Sequence, residues 1–220
     1  MEKYIRVTGK GQIAVKPDLI RLNLTLEDTR EKYEDTLEQS AKQVELLKDC
    51  FEKLGFERDD LKTMHFHIDT MYEGYQDENR VWQNRFTGYK FSHSMKIEFA
   101  ADNERLGQVL YGLAHAEVSP EFHINYTIKD TEAVKNQLLG KAVEDSKAKA
   151  VVLAEAAGVT LGELVSVDYS FGEKNFVSEP MSRNMPLMKS ADMVAGSYQM
   201  NIQPDDIQVS DTVTVVWQIG

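Results

Sequence analysis

The alanine-rich stretch 131–157, which is followed by Gly158, constrains the fold more than any other part of the chain. Its small and apolar residues recur at steps of three and four, which places them on one side of a helix. These residues are Leu139, Ala142, Val143, Ser146, Ala150, Leu153, Ala154 and Ala157. Asp130 or Thr131 can cap its start, and Gly158 is the expected left-handed stop. Because alanine side chains are short, we expect this helix to lie close against a β-sheet.

Composition is that of a soluble globular protein, with 42% hydrophobic and 28% charged residues in a chain of 220. The net charge of −11 disfavours binding to nucleic acid or to an anionic membrane surface, since both interactions depend on Lys and Arg. The single cysteine, Cys50, excludes an intrachain disulfide framework. No apolar run approaches the roughly 20 residues that a membrane-spanning helix needs, so no membrane insertion is predicted.

The first residues, MEKYIRVTGKG, lack the apolar core of a signal peptide. We therefore expect a cytoplasmic protein. A protein that was exported, and whose N-terminus had been trimmed, would present the same sequence.

Alternating and helical patterns predict the remaining elements. The predicted strands are 4–16, 19–27, 61–72, 85–100, 121–128, 163–171 and 206–219. Helices are predicted over 30–54, where Tyr33, Leu37, Ala41, Val44, Leu47, Phe51 and Leu54 share a face, and over 102–115. The turn at Pro17-Asp18 predicts that the first two strands form an antiparallel hairpin. A polar, aromatic loop is predicted over 73–84, and a long loop over 172–205.

The order strand, helix, Gly, strand occurs twice, over 19–72 and 121–171, and each copy predicts a split βαβ unit. The predicted fold class is therefore α+β: a mixed, largely antiparallel sheet with two long helices and one shorter helix packed mainly on one face. We expect a single domain over 1–220. Two intimate subdomains, divided near residue 100, are the alternative.

Few residues suggest chemistry. Gly9 and Gly11 imitate a dinucleotide-binding motif, but the β alternation continues through them and Pro17 follows, so we interpret them as permitting a bulge or a close crossing. His93 and Cys50 are interpreted as structural residues among apolar neighbours. The chain contains no GxSxG, HExxH, P-loop or CxxC motif, so no catalytic residue and no cofactor are predicted.

The best metal candidate is the set His65, His67 and Asp69, because alternate residues of a strand project to one face. A solvent-exposed polar face is the other interpretation of this triplet. The methionines of the predicted loop could form a soft metal-binding or hydrophobic surface, or a loop covering a partner subunit. They are Met181, Met185, Met188, Met193 and Met200.

Four stretches together resemble the SIMPL-domain family of bacterial periplasmic immunogenic and oxidative-stress-defence proteins. They are VTGKGQIAVKPD at 7–18, TGY at 87–89, AAGVTLG at 156–162 and VSDTVTVVWQI at 209–219. The resemblance implies an α+β fold, no established enzymatic activity, a loose link to envelope or oxidative stress, and ring-like oligomers in some members. It supplies no catalytic residues, and many relatives are exported.

Two functions follow as hypotheses. The first is a non-enzymatic interaction module that self-associates, with Tyr72, Tyr75, Trp82 and Phe86 suited to an interface and a protein partner possible. The second is a metal-binding protein or metal-dependent enzyme that uses the His65, His67 and Asp69 face.

Overall fold

The computed structural model describes residues 3–170, 176–181, 193–194, 197–198 and 200–220. Within these residues it contains three α-helices and ten strands, which confirms the α+β class. In chain order the elements are β1 (Lys3–Val15), β2 (Leu19–Arg30), α1 (Tyr33–Lys53), β3 (Lys62–Gln76), β4 (Trp82–Ala100), α2 (Asn103–Ala114), β5 (Glu121–Thr127), α3 (Thr131–Ala156), β6 (Leu161–Asp168), β7 (Val177–Met181), β8 (Met193–Val194), β9 (Ser197–Tyr198) and β10 (Ile207–Ile219).

The strands form two main sheets. One sheet has three strands in the order β1-β10-β6, and the other has five in the order β3-β4-β2-β5-β7. The two short strands β8 and β9 pair with each other. The chain divides into a terminal unit, residues 1–18, 127–178 and 205–220, and a central unit, residues 19–126 and 179–204. The single-domain organisation expected from the sequence stays a prediction.

The terminal unit packs α3 against β1 and β10. A narrow stripe of the helix is buried, and its central members are Ala142, Ser146, Ala150 and Ala154. Asp130 caps the helix by accepting a hydrogen bond from the Ala133 amide at 2.9 Å. At the other end Gly158 has φ +68°, and the Val159 amide donates to the carbonyl of Ala154. The predicted close-lying helix and its glycine stop are both confirmed.

The central unit packs α1 and α2 on one face of the five-stranded sheet. Its core is built from large side chains: Ile20, Leu22 and Leu24 of β2, Met95, Ile97 and Phe99 of β4, Leu47 and Phe51 of α1, and Leu106 and Val109 of α2. Helix α1 ends as α3 does, with Gly55 at φ +83° and the Phe56 amide donating to the carbonyl of Phe51. The rings of Phe51 and Phe56 then meet edge to face at 5.6 Å.

Two predictions of strand pairing are wrong. β1 pairs with β10 and β2 pairs with β4, so Pro17-Asp18 joins strands of different sheets and forms no hairpin. The unit 121–171 is not a split βαβ unit, because β5 and β6 belong to different sheets. The unit 19–72 is confirmed: β2 and β3 both run antiparallel to β4, which lies between them, and they are therefore parallel to each other.

Several local predictions also need correction. Tyr33 and Leu37 of α1 and Leu153 of α3 are exposed, although the helical pattern placed them on buried faces. Thr36 and Ser40 are buried instead in the first half of α1. Of the predicted loop 172–205, residues 172–175, 182–192, 195–196 and 199 lie outside the described residues. The described part of that range contains β7, β8 and β9.

Candidate functional site

The five-stranded sheet has one face packed against α1 and α2 and a second face made of polar side chains. On this polar face Arg21 Nε donates to Glu98 Oε1 at 2.6 Å, and Lys90 Nζ lies 2.7 Å from Glu27 Oε2. Partial burial acts to raise the pKa of the Glu98 carboxyl, but the hydrogen bonds and the charges of Arg21 and Lys96 together lower it. The face is thus a layer of paired charges, which is typical of a solvated sheet surface.

The metal candidates His65, His67 and Asp69 lie together on this polar face, at the edge strand β3. Their cross-strand partners are Ser94, Ser92 and Lys90 of β4. The two imidazole rings are 5.0 Å apart, and His67 Nε2 lies 3.3 Å from Asp69 Oδ2. His67 Nδ1 is buried and has no hydrogen-bond partner. The structure therefore brings the three predicted residues together.

Their present side-chain positions do not form a finished metal centre. In the part of the chain that the structure describes, no group of three His, Cys, Asp or Glu side chains is placed to hold an ion. Metal binding at this triplet consequently stays a prediction.

His93 and Cys50 have the surroundings of structural residues. The ring of His93 meets the Thr63 hydroxyl at 2.9 Å on Nε2 and the Ser40 hydroxyl at 3.5 Å on Nδ1. Desolvation, followed by the charge of Lys48, lowers the pKa of His93. Burial raises the pKa of the Cys50 thiol, which disfavours the reactive thiolate.

The second distinctive feature is the arm, residues 72–86, formed by the far halves of β3 and β4. The predicted loop over 73–84 is wrong, because the strands continue to Gln76 and resume at Trp82, with a turn of five residues between them. The side chains of Trp82 and Tyr72 are 71% and 59% exposed, and those of Tyr75 and Phe86 are exposed as well. The four aromatic residues expected at an interface therefore all reach solvent.

Ring contacts connect the arm to the helix-covered part of the central unit. Tyr72 contacts Phe86 at 5.8 Å, Phe86 contacts Tyr89 at 5.2 Å, and Tyr89 contacts Tyr33 of α1 at 5.5 Å between ring centroids. Sequence reasoning missed the part played by Tyr33, which it had assigned to the buried face of α1. The row of rings gives the arm a fixed surface on the side of the sheet that carries α1.

The turn of the arm is held by Asp77. Its Oδ1 accepts hydrogen bonds from the amides of Asn79 and Val81, each at 2.9 Å. These backbone donors, the Val81 amide first, lower the pKa of the Asp77 carboxyl. The same turn presents Val81, which is 52% exposed, beside Trp82. An apolar group is thus displayed on an ordered hairpin end.

The family model SIMPL, described as "Protein of unknown function (DUF541)", matches residues 5–217. The chain belongs to the SIMPL family. Among the relatives of this SIMPL protein, the 26 kDa periplasmic immunogenic proteins of Brucella melitensis and Brucella abortus are each 29% identical over 163 residues. That match covers 74% of this chain and 65% of the Brucella proteins, so the chain spans less than two thirds of their length.

A third relative, the "Uncharacterized protein YggE" of Edwardsiella ictaluri, is 20% identical over 217 residues, covering 99% of this chain and 87% of that protein. The resemblance to the SIMPL family stated from the four sequence stretches is confirmed. No helix in the described residues is long and apolar enough to cross a membrane.

Proposed function

We propose that this SIMPL protein is a non-enzymatic interaction module that self-associates through the arm. The observation that carries the proposal is the exposure of Tyr72, Trp82 and Phe86 on one face of the hairpin, with Tyr75 exposed on the other face. Aromatic residues are enriched in the buried centres of protein interfaces, whereas a large exposed apolar patch is unusual on a monomer. Further burial of about 300 Å² of this surface would contribute roughly 8 kcal/mol before the costs of association.

The position of β3 adds a second attraction. β3 is the first strand of its sheet, and β4 occupies only one of its sides. An edge strand offers backbone donors and acceptors to a further strand, and a second copy of the chain is the partner that is always present. Arg85 on β4, which pairs with Glu73 at 3.1 Å and lies 5.9 Å from the Tyr75 ring, supplies a polar rim for such a contact.

The periplasmic names of the Brucella relatives favour export over the cytoplasmic location expected from the N-terminus. We therefore propose that the module works outside the cytoplasm. A part in stress defence, implied by the family resemblance, stays a prediction. The absence of enzymatic activity is likewise part of the proposal, and it is supported by the structural surroundings of His93 and Cys50.

Light scattering coupled to size-exclusion chromatography tests the self-association. We expect the wild-type chain at micromolar concentration to have a mass several times that of one 25.0 kDa chain. Val81→Glu, which places a charge beside Trp82, should shift the mass towards the monomer. Val152→Glu is the matched control: Val152 is 64% exposed on α3, so the same substitution there should leave the mass unchanged.

A second substitution locates the contact. Edge strand β6 also exposes Leu164, Val165 and Val167. If Val165→Glu dissociates the oligomer and Val81→Glu does not, the arm is the wrong surface. A strict monomer for the wild type would contradict self-association itself.

A further inference from the structure

We infer that the polar face of β3 binds one divalent transition-metal ion of the Zn²⁺, Ni²⁺ or Cu²⁺ class through His65, His67 and Asp69. These three side chains lie outside the arm and on the face of the sheet opposite α1, although they share edge strand β3 with the proposed self-association surface. Neutral imidazole and carboxylate are ligands that this class of ion accepts.

The spacing of the ligand atoms supports the assignment. Zn–N and Zn–O bonds of about 2.0–2.1 Å at a tetrahedral centre place two ligand atoms about 3.3 Å apart. His67 Nε2 and Asp69 Oδ2 are 3.3 Å apart. The distance between these two atoms therefore matches one edge of such a centre.

The third ligand requires one rotation. The His65 ring stands 5.0 Å from the His67 ring, and its side chain is exposed to solvent. An exposed imidazole changes rotamer at small cost, so His65 can turn a ring nitrogen towards the same point. Water completes the coordination, as it does at zinc sites with three protein ligands.

The charges around the triplet allow a cation to enter. Lys90 is the cross-strand partner of Asp69, but its Nζ lies 2.7 Å from Glu27 Oε2, and that carboxylate offsets its charge. Asp69 interacts instead with His67. Bringing a divalent ion between His67 Nε2 and Asp69 Oδ2 replaces their 3.3 Å contact by two coordinate bonds.

One feature limits the affinity. A ligating histidine usually donates its second ring N–H to a carbonyl or a carboxylate, and losing that partner weakens binding 10- to 100-fold. His67 Nδ1 is buried without a hydrogen-bond partner. We therefore expect a Kd on the order of 10 μM, which is weaker than that of a structural zinc site.

Isothermal titration calorimetry with zinc chloride alone, on full-length protein free of any histidine tag, tests the inference. We expect one ion per chain for the wild type and at least about tenfold weaker binding for His67→Gln and Asp69→Asn. His123→Gln is the matched control, because His123 is an exposed histidine on β5 of the same sheet and its removal should change nothing.

Two results would overturn the inference: no heat of binding up to about 1 mM zinc, or binding that His67→Gln leaves intact. Thermal melting of each variant without metal checks that the substitutions leave the fold unchanged. Because the titration counts ions per chain, it gives its answer for a monomer as well as for an oligomer, so it fails independently of the proposed self-association.

Discussion

The two units place helices on sheets in opposite ways. In the terminal unit the backbone of α3 approaches the backbone of β1 directly: a Cβ added to Gly9 would stand 1.9 Å from the Ala142 carbonyl oxygen, and one added to Gly11 would stand 2.1 Å from that of Leu138. In the central unit Leu47 and Phe51 keep α1 at the distance of full side chains. The first interface depends on residues being small, and the second depends on their being large.

This difference teaches what holds each layer together. Each Å² of apolar surface removed from water stabilises the fold by about 25 cal/mol, so the large side chains stabilise the central unit mainly through burial. The close approach in the terminal unit buries less apolar surface per residue, but it brings polar side chains of α3 within hydrogen-bonding distance of β1. Asp145 of α3 accepts a hydrogen bond from the Lys10 amide of β1 at 2.7 Å and pairs with Lys149 at 2.6 Å. Helix side chains thereby bond to the backbone of the edge strand β1.

Gly9→Ala should have the largest effect on this comparison. The new methyl group would overlap the backbone of α3, so the helix must shift, and we expect unfolding to become easier by more than about 4 kcal/mol. Urea denaturation followed by circular dichroism measures the change.

Gly140→Ala is the matched control for Gly9→Ala. Gly140 lies on the exposed side of α3, and a Cβ there meets nothing within 4 Å. Alanine should therefore stabilise the protein by about 0.5–1 kcal/mol through its helix propensity. If Gly9→Ala and Gly140→Ala gave the same free energy of unfolding, the backbone of α3 would not contact the backbone of β1 as described.

Leu47→Ala tests the central unit by replacing a large side chain with a small one, the reverse of the change in Gly9→Ala. Leu47 is fully buried, so its truncation should cost about 3 kcal/mol through lost burial and a cavity, without steric overlap. Leu37→Ala makes the same substitution on the same helix at a position 40% exposed, and should cost less than about 1 kcal/mol. Similar midpoints for the two variants in urea would contradict the difference in burial.

Acid should act on His93 of the central unit and on Asp145 of the terminal unit in different pH windows, with the smallest effect. Because folding lowers the pKa of His93, the unfolded chain binds the proton more readily, and the stabilising contribution falls as the pH drops below about 6.5. The pKa of Asp145 is lowered too, chiefly by Lys149 and then by the Lys10 amide, so its contribution persists until the pH falls below about 3.9.

Melting temperatures recorded from pH 7.5 to 5 check the predicted loss of stability that is linked to His93. The decline should flatten in His93→Gln and remain in His123→Gln. An unchanged pH dependence in the His93 variant would show that its titration is not linked to folding.

The helix ends were predictable from the sequence, whereas the pairing of β1 was not. Gly55 and Gly158 each mark a helix end because both take a positive φ, and that signal is carried by single residues. The pairing of β1 with β10 depends on residues that are almost a chain length apart. The turn at Pro17-Asp18 has the same sequence signal whether the next strand joins the same sheet or another one. In the structure the turn leads into another sheet, and Asp18 accepts a hydrogen bond from the Lys129 amide at 2.8 Å.

The candidate sites divide in the same way. The shared face of His65, His67 and Asp69 follows from the alternation of any strand, so it was predictable. The arm was predicted as a loop because both of its faces are exposed, and a two-stranded ribbon in solvent lacks the apolar alternation that marks a buried strand. Its order comes from cross-strand pairs such as Tyr72 with Phe86, which a single strand does not reveal.

The pairing of β1 with β10, from Lys3 with Ile219 to Val15 with Ile207, has a consequence for folding. β1 cannot pair until β10 is present, while the residues between them can complete the central unit. Closing so long a segment makes the contact non-local and slow to form. Until β10 has joined the sheet, the glycine-containing strand β1 is an unpaired edge that a chaperone can bind.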